Sequence, residues 1–188
     1  MADFSELRQP AWLVAPRILG SELIREIDGQ QLIGRIVETE AYTETDAASH
    51  SFHGRTPRTD IMFGREGTAY VYFTYGMHYC FNVVTGEEGH GDAVLIRALE
   101  PLAGINLMHE YRHNIVSDQN LTNGPAKLCQ ALLINKELNG HDLRQAPLRL
   151  VIKPALAPKA IVQTTRIGIT RDQHRLWRFF IKDSPYVS

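Results

Sequence analysis

Little sulfur, no long apolar run and almost no net charge are the first facts of this 188-residue chain, and each removes a class of protein. Its two cysteines, Cys80 and Cys129, cannot build a disulfide framework and fit a reducing compartment, each as a small buried hydrophobe. No apolar stretch approaches the ~20 residues of a membrane span. The start, Met1 to Glu6, lacks the basic and apolar regions of a signal peptide, so the expectation is an intracellular protein that engages no membrane. Repeats, low-complexity tracts and interdomain linkers are also missing. What remains, 44% hydrophobic and 22% charged, is ordinary globular composition, enough for one domain that buries about 70% of its unfolded surface.

The net charge of −1 hides an asymmetry. Residues 1–50 hold four Lys/Arg and nine Asp/Glu, whereas residues 143–182 hold nine basic residues against Asp172 alone. Such a distribution suggests one positive face usable for a polyanion, or a basic surface that is merely solvated.

Hydrophobic patterning gives the elements. Ala11 to Ser21 reads as a helix with Pro16 inside it. Leu23–Ile27 and Leu32–Tyr42 read as strands joined through Asp28-Gly29. A polar connection from Thr43 to Gly67 follows, longer than the ~15 residues beyond which loops in compact domains are usually functional or disordered. Thr68–Thr74 and His78–Val84 make a second hairpin with Tyr75-Gly76-Met77 at its tip, and Ala93–Leu99 is another strand. A helix is expected from Pro101 to Arg112, and another from a Thr122-Asn123-Gly124-Pro125 start to a stop near Asn139-Gly140. Leu148–Lys153, Ile161–Ile169 and Leu176–Ile181 supply the last strands. The sum is a single α+β domain with a curved, mostly antiparallel sheet flanked by helices, behind a loose tail at residues 1–10.

Within this pattern Glu38, Glu40 and Tyr42 fall on one face of one strand, with the two glutamate Cα atoms ~6.6 Å apart. Carboxylates on a strand that must feed a core break a local rule, which is commonest at functional sites. Three readings stand: a carboxylate pair of the sugar-hydrolase kind, one general base acting on water, or an exposed strand face carrying solvated charge. His50, His53 and His78 match no zinc spacing. Six aromatics lie between Tyr70 and Phe81; a core explains several, but not Tyr75 on a turn, where a wedge into a base stack would be carried. Tyr42 with Tyr70 or Tyr72 could sandwich a planar base. Arg55, Arg58, Arg65 and Arg97, with Lys127 in a helix's first turn, are candidate phosphate contacts.

In their joint order, Glu38-Thr39-Glu40-Ala41-Tyr42, His50-Ser51, Thr56-Pro57-Arg58, Gly67 to Tyr72, Tyr75-Gly76-Met77, Asn82 and Arg97 to Pro101 resemble the alkyladenine (3-methyladenine) DNA glycosylases. Asn123 to Leu132 and the ending Ser184-Pro185-Tyr186-Val187-Ser188 are similar to the same family, so the likeness runs from about Leu13 onward. The resemblance implies a base-flipping repair enzyme that works on duplex DNA containing a damaged purine, as a monomer, with no metal and no cofactor. It implies that Glu40 activates water, that Tyr42, His50, Tyr72 and Asn82 form the base pocket, and that Tyr75 and Met77 enter the duplex. Arg58, Arg97 and Lys127 would meet the DNA backbone. The implied substrates are 3-methyladenine and 7-methylguanine, with hypoxanthine and ethenoadenine as further candidates. A non-catalytic nucleic-acid-binding module and a small-substrate hydrolase using Glu38 with Glu40 are the competing expectations.

Overall fold

Two consecutive residues with positive φ, Asp28 at 49° and Gly29 at 75°, turn the chain back on itself and set the first hairpin. The computed structural model describes residues 3–74, 76–113 and 117–188. In it β1 (Glu22–Ile27) pairs antiparallel with β2 (Gln30–Tyr42), in register from Glu22↔Arg35 to Ile27↔Gln30. The second hairpin, β3 (Ala69–Thr74) and β4 (His78–Val84), leads to β5 (Ala93–Ala103). With β6 (Leu148–Val151) these form an antiparallel sheet in the order β3-β4-β5-β2-β1-β6. A short β7 (Ile161–Thr164) pairs with β8 (Arg178–Ile181), and β8 pairs with β2 at Glu38, Thr39 and Glu40. The thirteen-residue β2 therefore serves three partners, β1, β5 and β8. The α+β class read from the sequence is the observed one.

Among the described residues three short helices cover the sheet: α1 (Ala11–Arg17), α2 (Ile105–Tyr111) and α3 (Pro125–Ala131). Val14, Ile18 and Leu19 pack with Ile36, Ile96, Leu99, Met108 and Leu128, all essentially without exposure. Each side chain of this kind contributes roughly 1.5–3 kcal/mol on burial. From Ala93 to Leu99 every residue of β5 is buried, because both faces of the strand are covered.

Several boundaries differ from the sequence reading. The strand expected to stop at Leu99 runs to Ala103, and Pro101 is tolerated there because it faces Gly34 beside a register shift. The following helix begins at Ile105, after Gly104, whose φ of +72° and approach to the Gln31 carbonyl (2.8 Å from an added Cβ) exclude a side chain. α3 begins at Pro125, as the Thr122-Asn123-Gly124-Pro125 start predicts, with Gly124 at the cap. The Thr122 hydroxyl donates to the Leu99 carbonyl at 2.7 Å, tying this loop to β5. α3 ends at Ala131 rather than near Asn139, since Leu133 takes a φ of +47° and a separate turn spans Lys136–Leu138. The strand from Ile161 stops at Thr164, and residues 165–169 become a loop. The long connection contains two turns of 3-10 helix, His50–His53 and Asp60–Phe63.

The basic C-terminal stretch is not one free positive face. Arg149 pairs with Glu26, Lys153 with Glu22, Arg166 with Asp46 and Arg178 with Glu38, so much of its charge is matched to acids of the first fifty residues.

Candidate active site

Where β2, β3, β4 and β5 meet the loops at 48–50 and 167–169, the protein holds a cavity of about 370 Å³. Tyr42, Tyr70, Tyr72, Cys80 and Asn82 come from the strands; Leu95 and Arg97 complete the sheet side, and His50 and Ile167 close it from the loops. Pockets for small organic groups have this size and this mixture of aromatic wall with few polar groups.

Behind the wall lie the two glutamates. Both have no exposed surface, so the picture of a solvated strand face is wrong for this pair. A buried carboxylate needs donors and counter-charge, and each has them. Glu38 Oε1 accepts from Arg97 Nε at 3.1 Å and Arg178 Nε at 2.6 Å, and its Oε2 accepts the Ser188 N–H at 2.6 Å. Glu40 Oε1 accepts the Ile167 N–H at 2.8 Å and lies 3.2 Å from Arg97 Nη1, while its Oε2 accepts the Tyr42 hydroxyl at 2.7 Å. Three residues that hold Glu40 are thus themselves cavity walls, whereas Glu38 is held by Arg97, Arg178 and the 188 end of the chain. Burial, then the neighbouring Glu40 charge, push the Tyr42 phenol far above its ordinary range, so it remains a donor.

His50 reaches the cavity through ring contacts. Its Nδ1 is 3.0 Å from the Tyr70 hydroxyl, its ring meets Tyr72 edge-on with centroids 4.6 Å apart, and Arg58 Nη2 lies 3.4 Å from Nε2. A guanidinium can only donate, so Nε2 is the acceptor and the neutral ring carries its proton on Nδ1, donating to Tyr70. Although the residue is exposed at its outer edge, burial of the ring, followed by the charge of Arg58, pushes its pKa down to about 4. Tyr72 is raised strongly, first by burial and then by Cys80. Asn82, nearly fully buried, donates from Nδ2 to the Tyr70 carbonyl at 3.0 Å.

The structure thus gathers Glu40, Tyr42, His50, Tyr72, Asn82 and Arg97 around one space. Arg97 is 8% exposed and its guanidinium serves both glutamates, so it is an internal clamp with one edge on the cavity. Arg58 is exposed at the rim, its guanidinium carbon 5.7 Å from the Tyr72 ring centroid. Lys127, in the first turn of α3, donates to Asn123 Oδ1 at 2.7 Å. Met77 stands at the hairpin turn with 69% of its surface exposed; Tyr75 lies outside the described residues. Among the described residues no group of three or more His, Cys, Asp and Glu is placed to hold a metal ion.

Arg166 and the Ile167 amide escaped the sequence reading. Arg166 was one of nine basic residues in its stretch, and nothing local marks it as the partner of Asp46, 120 positions away. Its guanidinium carbon sits 4.7 Å from the centroid of the Tyr42 ring. A backbone N–H has no signature in a sequence at all.

The sequence profile of the methylpurine-DNA glycosylases matches residues 5–185. A Carboxydothermus hydrogenoformans protein provisionally named 3-methyladenine DNA glycosylase is 51% identical over 177 residues, covering 94% of this chain and 92% of its own. Proteins with the same provisional name from Desulfitobacterium hafniense (48% over 188 residues, 94% and 92%) and Methanoculleus marisnigri (49% over 178 residues, 93% and 92%) are similar over the same span.

Proposed function

The chain belongs to the methylpurine-DNA glycosylase family, and we propose that it hydrolyses the bond between deoxyribose and an alkylated purine, 3-methyladenine or 7-methylguanine, in duplex DNA. The product is an abasic site and free base. The observation that carries this reading is a buried carboxylate, Glu40, fixed by Tyr42, Arg97 and the Ile167 amide immediately behind an aromatic cavity.

In this reading the damaged nucleotide leaves the base stack and its base enters between Tyr42, His50 and Tyr72. Electron-rich rings favour the positive charge of an alkylated purine. Asn82 faces the base edge, where an amino group on guanine would meet it. The C1′–N bond breaks with its electron pair going to the base, which departs neutral. Water adds its oxygen to C1′ as Glu40 takes the proton, a contribution of about 10²–10⁴-fold for a well-placed base. The negative charge of Glu40 also favours the sugar cation as it develops. Contacts to the nucleophile often tighten only in the substrate complex. Hypoxanthine and ethenoadenine are neutral and must gain a proton before leaving, which makes them harder substrates.

Met77, with Tyr75 assigned by family likeness alone, would fill the gap left in the duplex. Arg58 at the rim and Lys127 are offered to the backbone, and Arg97 meets the extruded nucleotide while holding Glu40. The protein acts here as one catalytic domain and a monomer.

The test is release of free base from methylated duplex DNA, with and without chelator. Glu40→Gln should still bind lesion DNA and release no base. Base release at the parental rate would overturn the assignment, as would binding without release by the parent protein.

A further inference from the structure

We propose that the buried Asp46–Arg166 pair acts through Tyr42 to set how well the cavity accepts a positively charged base, an inference that rests on the glycosylase reading above. Arg166 lies over one face of the Tyr42 ring, at 4.7 Å, and its side chain has no exposed surface. Tyr42 also lines the cavity, and we take the face opposite Arg166 to be the one offered to a base. An unmatched cation in this position would compete for the same π electrons and repel a cationic purine across the thickness of one ring.

Asp46 removes that field. Its two oxygens accept from the two Nη atoms of Arg166, one of them at 2.9 Å, and its side chain is equally buried. A two-point carboxylate–guanidinium pair of this kind is both strong and directional. The tyrosine thus receives a flat, fixed support whose charge is balanced from behind.

The same pair fixes the cavity on two sides. Arg166 Nη1 also donates to the Ala41 carbonyl at 2.9 Å, next to Tyr42 in β2, and the neighbouring Ile167 N–H reaches Glu40. Asp46 Oδ1 accepts the Ala48 N–H at 3.1 Å, at the start of the segment that carries His50. Asp46 and Arg166 are therefore positioning residues, and their electrostatic role must be separated from simple support.

The charge of the base separates them. In a Glu40→Gln background, which prevents excision, dissociation constants are measured for duplexes with a single 7-methylguanine (cationic), a single ethenoadenine (neutral) or no lesion. Asp46→Asn leaves Arg166 unmatched and should weaken binding of the cationic lesion about tenfold relative to the neutral one. The double variant Asp46→Asn/Arg166→Met is neutral behind Tyr42 and should return the ratio to its parental value. Arg166→Met alone should shift the ratio toward the cationic lesion, and it serves as the test if Asp46→Asn does not fold, with circular dichroism as the folding check. A ratio that stays constant across the variants while both affinities fall would mean a purely structural pair and would overturn the proposal. Should the Glu40→Gln protein bind neither lesion better than undamaged duplex, the glycosylase reading itself fails, independently of the pair.

Discussion

Arg97 donates toward both Glu38, at 3.1 Å, and Glu40, at 3.2 Å, so a single guanidinium holds together two carboxylates that would otherwise repel each other. All three side chains are at most 9% exposed, which makes the clamp costly to break.

Replacing Arg97 with methionine keeps much of the stem and removes the charge. The remaining carboxylates would be buried with too few cations, and the expected loss of stability is about 3–5 kcal/mol. Urea denaturation of parent and variant measures it. A loss below ~1 kcal/mol, the range of surface pairs, would show that the clamp is not holding these charges.

His50 should titrate near 4 rather than near its ordinary value of about 6.5. Its folded pKa is depressed, so between those values the unfolded chain takes up a proton that the folded chain refuses. Its contribution therefore favours unfolding increasingly as pH falls through that window, and is neutral above it. An NMR titration of the imidazole reports the midpoint directly. A value at or above 6.5 would contradict the packing of this ring, and Arg58→Gln should move the midpoint upward.

Tyr42→Phe removes the hydroxyl that donates to Glu40 at 2.7 Å and keeps the stacking ring. Loss of a hydrogen bond to a buried charge should cost about 1.5–3 kcal/mol of stability. Affinity for lesion DNA should change little, while the single-turnover rate of base release falls. Equal losses of rate and affinity would argue that the ring had moved.

Gly104→Ala probes the corner between β5 and α2. A left-handed residue costs about 1–2 kcal/mol when it is not glycine, and here the new Cβ would also press on the Gln31 carbonyl. The denaturation midpoint should fall accordingly. An unchanged midpoint would place this corner in a different backbone conformation.

The elements that could be read from the sequence were those with local causes. Asp28-Gly29 demands a tight turn, the alternation from Leu32 to Tyr42 demands a strand, and the two aromatic-rich runs from Thr68 to Val84 read as a second hairpin. Glu40 stood out because a carboxylate does not belong in a core without a reason. Misjudged boundaries were decided by distant partners or by backbone that composition does not mark: Pro101 could stay in β5 because Gly34 faces it, and α3 stops at Ala131 because Leu133 turns left-handed. The basic C-terminal stretch suggested a surface for a polyanion, and only the fold shows its charges answering acids more than a hundred positions earlier.

The strand that carries Glu40 is laced to neighbours along almost its whole length. Its amides are expected to exchange with solvent only when much of the molecule opens, which would set Glu40 among the slowest-breathing parts of the chain. On the function proposed above, such a protein would meet its substrate as a rigid anvil, and the distortion needed for reaction would fall on the DNA, whose damaged pairs are the cheapest to pull apart.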